Sequence, residues 1–120
     1  MTFFRQATGQ MGEDAAAKKI KQMGMRIKCR NYRCLLGEID IIAEDKDTLV
    51  FVEVRSRRTK GYGLPQETIG YKKMEKVRKV AQQYMLAKKL LDVNCRFDVA
   101  AVIVDDQGKP KQIDYIKDAF

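Results

Sequence analysis

The sequence predicts an α/β fold, a mixed central sheet flanked by helices in the order α-β-β-β-α-β-β. Three observations carry that reading. Two stretches repeat apolar residues at helical spacing, five short stretches are rich in Ile, Val and Phe, and a length of 120 residues suits one domain with one core, 1–120. In the first helix, from about Thr8 to Gly24, Ala16, Ala17, Ile20 and Met23 share a face and Gly24 suits a C-terminal stop. Three extended stretches follow as a meander: Met25 to Arg30, Leu35 to Glu44 and Thr48 to Arg55. Ser56 to Gln66 holds Gly61, Gly63 and Pro65 among Arg57, Arg58 and Lys60, which favours a mobile basic loop. A second helix from about Glu67 to Leu91 is marked by Val77, Val80, Ala81, Tyr84, Ala87 and Leu91, with Lys72, Lys76 and Lys79 on another face. Phe97 to Val104 reads as a buried strand, Asp105 to Gly108 as a turn, and Gln112 to Ile116 as a short last strand. There is no internal repeat and no linker.

Composition narrows the chemistry. At 45% apolar and 33% charged, with 8 Gly and 2 Pro, the chain is globular in type. Its longest apolar run, Val99 to Val104, is far short of the roughly 18 residues that cross a bilayer. The first residues lack the pattern of a secretory signal, so a cytoplasmic address and no membrane partner are expected. There is no His, and Cys29, Cys34 and Cys95 have no zinc-type spacing, so they are expected to be reduced, half-buried fillers. Without His, nucleophile systems that depend on imidazole are excluded, and chemistry falls to carboxylates, Lys, Tyr or a hard metal ion. Net charge is +8, and its distribution is uneven: residues 55–90 carry eleven basic and two acidic side chains. A solvated helix face is the plain explanation of such a run. A patch of this strength also fits an acidic partner, with nucleic acid ahead of a membrane surface.

The carboxylates sharpen the choice. Asp45-Lys46-Asp47-Thr48 is turn chemistry between two apolar strands, and a hairpin centred between Lys46 and Asp47 sets Asp40 opposite Glu53 and Glu38 opposite Arg55. Alternation puts Glu38, Asp40 and Ile42 on one side of their strand, and Glu53 and Arg55 together on theirs. Like charges directly opposite one another inside apolar strands are unfavourable and need compensation. A divalent cation with oxygen preference supplies it, and an ordinary ion pair from Asp40 to Arg55 or another basic side chain is the alternative. Glu13, on the inward helix face, can complete the set, although an acid near a helix N-terminus is also favoured by the helix dipole alone.

Gly37-Glu38-Ile39-Asp40 followed by Phe51-Val52-Glu53-Val54-Arg55 resembles the D-x(n)-E-x-K core of the PD-(D/E)xK nuclease superfamily. With Asn31-Tyr32-Arg33, Gly63, Pro65, Lys73 ahead of Ala81, and Arg96-Phe97-Asp98, nearly the whole chain resembles the YraN-type family, uncharacterised protein family 0102. That family is similar to Holliday junction resolvases and is a predicted endonuclease. The resemblance implies a restriction-endonuclease-like core, with Asp40 and Glu53 as Mg²⁺ (or Mn²⁺) ligands and Glu13 as an extra helix-borne acid. Arg55 stands where the superfamily has lysine. A guanidinium is not deprotonated in a protein, so Arg55 suits a phosphate contact or transition-state charge and not a general base.

The expected activity is metal-dependent hydrolysis of DNA with Asp40, Glu53, Arg55 and Glu13 as catalytic residues. Arg57, Arg58, Lys60, Lys72, Lys73 and Lys76 would hold the backbone, which selects branched structure rather than base sequence. A homodimer would suit a symmetric junction. A non-catalytic nucleic-acid-binding module on the same fold is the competing reading, and a scaffold role is a third. Tyr62 and Tyr71 can stack on exposed bases or simply pack.

Overall fold

The computed structural model describes residues 2–57 and 70–120, and side chains from residue 10 onward within them. The elements are α1 (Thr2–Gln22), β1 (Arg26–Cys34), β2 (Gly37–Asp45), β3 (Thr48–Arg57), α2 (Tyr71–Ala87), β4 (Asn94–Val104) and β5 (Pro110–Ile116), in the predicted order. One sheet takes all five strands in the spatial order β1-β2-β3-β4-β5. Neighbours are antiparallel except β3 and β4, which are parallel and are separated in sequence by α2. The sheet is therefore mixed, as the sequence predicts.

A helix covers each face. Ala16, Ala17 and Ile20 of α1 pack with Ile41, Val50, Val52 and Val102. On the other face Val77, Val80, Ala81 and Tyr84 of α2 pack with Ile39, Ile42, Leu49 and Phe51. Each fully buried aliphatic side chain of this kind contributes about 1.5–3 kcal/mol. Gly12 lets α1 lie against β3 at this point, because a Cβ there would collide with Ser56 Oγ. The next residue along α1 is Glu13.

Several boundaries differ from the sequence reading. α1 starts at Thr2 rather than near Thr8, since residues 3–7 contain no Gly or Pro to stop it. Glu13 is thus mid-helix, and neither capping nor the helix dipole explains it. Leu35 and Leu36 form the turn between β1 and β2, rather than the start of a strand, because Gly37 adopts φ +145 and Cys34 pairs with Gly37. β3 continues through Ser56 and Arg57, which the reading gave to a loop. α2 begins at Tyr71 behind an extended Gly70, and Leu91 lies beyond its C-terminus, exposed instead of packed. The apolar spacing there runs on past the turn that Lys89 makes at φ +58. Arg58, Lys60, Gly61, Tyr62, Gly63, Pro65 and Glu67 lie outside the described residues. All three cysteines are free, with Cys29 and Cys34 half-buried and Cys95 exposed, so Cys95 is not the filler expected. Among the described residues no helix is long and apolar enough to cross a membrane.

Candidate functional site: a carboxylate pair beside a basic helix

The β2–β3 hairpin has the predicted register: Asp45 pairs with Thr48, and the ladder runs regularly to Ile41 with Val52. Beyond that pair the regular strand geometry fails. Ile39 packs on the α2 side and Ile41 on the α1 side, although strict alternation would put both on one face. Asn31, on the neighbouring strand between the partners of Ile39 and Ile41, is left-handed at φ +55, a conformation Asn tolerates better than most residues. Asp40 sits at this irregularity, and its Oδ2 accepts a hydrogen bond from the backbone N–H of Val54 at 2.8 Å. A carboxylate therefore takes the place of a ladder acceptor. Glu38 does not meet Arg55 in the ladder. It pairs with Arg33 on β1, Nε to Oε2 at 3.1 Å, because the regular β2–β3 pairing has ended before it.

Glu53 follows Val52 on β3 and points to the α2 side, where Lys73 Nζ lies 3.6 Å from its Oε2. Its side chain is 4% exposed, and its Oε1 is buried with no hydrogen-bond partner among the described residues. Burial pushes the Glu53 carboxyl up to about 7, and the charge of Asp40 pushes the same way, against Lys73 and Arg55. Asp40 is also raised, chiefly by burial, with Glu13 and Glu38 adding to the shift while the Val54 N–H and Lys73 oppose it. The two acids thus form one electrostatic unit.

Glu13 reaches the edge of that unit from α1. Its Oε1 accepts from Arg30 Nε at 2.9 Å and from Asn31 Nδ2 at 3.0 Å, and Arg30 also binds Asp14 at 2.7 Å. Its charge is felt at Asp40, but its visible bonds go to β1. No set of three or more Asp, Glu, Cys or His is gathered in a metal-holding arrangement among the described residues. The structure thus brings Asp40 and Glu53 together with Lys73, while Arg55 acts on Glu53 through its charge.

Lys72 and Lys76 are exposed on α2, as the sequence predicts, whereas Lys73 is turned inward and half-buried. Sequence reasoning placed Lys73 with the backbone-holding lysines and missed its contact with Glu53. The signal available was its place between two exposed lysines in the first turn of the helix that packs on Glu53's face. Arg30 and Asn31, which hold Glu13, were not foreseen as part of the site.

A family model matches residues 12–102, described as uncharacterised protein family UPF0102. The chain belongs to that family. The matched span opens at Gly12 and takes in Glu13, Asp40, Glu53, Lys73 and Asp98, stopping before β5. A UPF0102 protein of Desulforamulus reducens is 45% identical over all of both chains. One from Syntrophus aciditrophicus is 50% identical over 94% of this chain and 87% of its own, and one from Geobacter sulfurreducens is 46% identical over 93% and 87%. Among solved structures, SfsA of Pyrococcus furiosus in complex with Ca²⁺ is similar over 94% of this chain and 63% of that one, at 16% identity and a TM-score of 0.40.

Proposed function

We propose that this protein is a metal-dependent DNA endonuclease selective for branched or otherwise distorted DNA, with Asp40 and Glu53 at its centre. The observation that carries the reading is Glu53 Oε1, buried without a partner among the described residues beside a second raised carboxyl. Two acids held in this way weaken the fold unless something completes them. A hard divalent ion, Mg²⁺ or Mn²⁺, fits two carboxylate donors and, when bound, would polarise the scissile phosphate and acidify an attacking water. Asp40 and Glu53 are the residues that would hold it.

The other side chains supply fixed charge. The Lys73 ammonium offsets the charge of Glu53 and would neutralise negative charge building on a phosphate bound beside it. Arg55 contributes a second cation that cannot act as a base. Glu13, held by Arg30 and Asn31, adds negative charge near Asp40. Lys72 and Lys76, with Arg57, Arg58 and Lys60 from the sequence reading, would hold the DNA backbone without reading bases. Arg55 in place of lysine favours the second reading, a binding module that does not cut.

The test is end-labelled cleavage of duplex, single-stranded, flap and four-way junction DNA with Mg²⁺ or Mn²⁺, beside Glu53→Gln. Metal-dependent cutting that falls by about 10²-fold or more in the variant supports the nuclease. A parallel readout needs no substrate: Mg²⁺ should raise the Tm of the parent and not of Glu53→Gln, more at pH 8 than at pH 6, because both acids must be ionised to bind it. No cutting and no Tm response, with tight salt-sensitive DNA binding, selects the binding module. Replacing Lys72 and Lys76 by Gln should flatten the slope of log affinity against log salt by about 0.9 for each lysine. An unchanged slope would place the DNA elsewhere.

A further inference from the structure

We propose that Leu35 and Leu36, at the tip of the β1–β2 hairpin, form an apolar wedge that enters a base step of duplex DNA. Resting on the nucleic-acid reading above, this names how a distorted substrate is recognised. Cys34 pairs with Gly37, so the two leucines occupy a two-residue turn, a place where Asn, Asp and Gly are the usual residues. Leu35 is fully exposed at 107% of its reference area, and Leu36 is 46% exposed. Neither side chain gains the burial that would explain it as part of the core.

The surroundings are cationic and lead to the carboxylate pair. Leu36 lines a groove with Tyr71, Lys72, Glu75, Lys76 and Lys79 of α2, three cations against one acid, and that acid is paired with Arg78 at 3.1 Å. The Lys76 side chain lies against Gly37, 3.5 Å from where a Cβ would stand, which ties the turn to the basic helix. One helical turn before Lys76 is Lys73, in contact with Glu53. In sequence, Asp40 on β2 is four residues beyond Leu36. Apolar side chains inserted at a base step unstack it and kink the duplex, and the distortion costs least where pairing is already broken.

A second copy of this chain is the poorer occupant. A two-fold contact through this surface would set Lys72, Lys76 and Lys79 against their own equivalents, whereas a polyanion complements them.

The experiment uses duplexes carrying 2-aminopurine at successive positions, with and without a single mismatch, in EDTA so that no strand is cut. The parent protein should raise fluorescence at one confined step and bind the mismatched duplex roughly ten-fold more tightly than the intact one. Leu35→Ser/Leu36→Ser should lose both effects while keeping its Tm and its salt slope, since the leucines are exposed and uncharged. DNA binding without a local fluorescence rise, a rise that survives the double substitution, or no DNA binding overturns the wedge. So does a dimer, or adhesion to anionic vesicles, that the double substitution abolishes. Glu53→Gln should keep the rise. A retained rise with no metal-dependent cutting removes the hydrolytic reading alone, and cutting without a rise removes the wedge alone.

Discussion

Replacing Asp98 by alanine should destabilise the protein by about 3–5 kcal/mol, the cost of removing one partner from a buried charged network. Asp98 is fully buried and accepts from Arg96 Nε at 3.1 and 3.2 Å, from Tyr115 OH at 2.6 Å and from the Asp118 N–H at 2.9 Å. Arg96 also reaches Asp45 at 2.9 Å, so the network joins the β2–β3 turn, β4 and the end of β5. Alanine leaves a guanidinium, a phenol and an amide without their acceptor. The Tyr115 hydroxyl is raised strongly by burial and by the Asp98 charge, so it remains a neutral donor. Domains of this kind are held by about 5–15 kcal/mol, and the loss should appear as a large fall in the urea midpoint at unchanged m. Should the variant fail to fold, Tyr115→Phe removes a single bond and should cost about 1–2 kcal/mol. A loss below about 1 kcal/mol in Asp98→Ala would show that the network is not a stabilising one.

Asp98 and Glu53 occupy neighbouring positions of the parallel β3–β4 pair, since Asp98 faces Val52 and Glu53 faces Val99. Their surroundings are opposite in kind. Asp98 lies with Met25 and Tyr115 on the α1 side and is saturated with donors, whereas Glu53 lies toward α2 with one oxygen unpartnered among the described residues. The sequence alone does not separate these two acids, because each interrupts an apolar strand. A donor must be found for one and not for the other, and although Arg96 is two residues from Asp98, the Tyr115 hydroxyl and the Asp118 N–H come from the end of the chain.

What local pattern decides was legible: the element order, the hairpin register between Asp45 and Thr48, the buried face of α1, and that of α2 as far as Tyr84, whereas Ala87 and Leu91 are exposed. Alternation gave the site approximately, and failed at Asp40 itself. The left-handed Asn31 and the side-chain acceptor for Val54 are tertiary features that no period-two rule contains. The inward turn of Lys73 has the same origin, since packing of α2 on Glu53's face decides which lysine is taken from a uniformly basic run. Leu35 and Leu36 misled the reading in the other direction. Apolar residues beside a β-rich stretch count toward a strand, and only the pairing of Cys34 with Gly37 puts them in the turn.

Asparagine at position 40 should separate stability from activity. A carboxyl raised above its ordinary value of 4.5, as Glu53 is to about 7, binds its proton more tightly in the folded chain than in the unfolded one. Its contribution to stability is therefore present below about pH 4.5 and lost as pH rises to about 7. Asp40 is shifted in the same direction and adds to the loss. Asp40→Asn keeps an acceptor for the Val54 N–H, removes the charge that helps raise Glu53, and lets Glu53 ionise at lower pH. In EDTA at pH 8 the variant should be more stable than the parent by about 1–2 kcal/mol, and below about pH 3.8, the ordinary value of Asp40, the two should converge. Urea unfolding at both pH values measures the difference. Any metal-dependent cleavage should fall by about 10²-fold or more, because one of the two carboxylates that would hold the ion is gone. A variant less stable than the parent at pH 8 would mean that Asp40 serves the fold through an ion pair, and the case for a metal between Asp40 and Glu53 would fall with it.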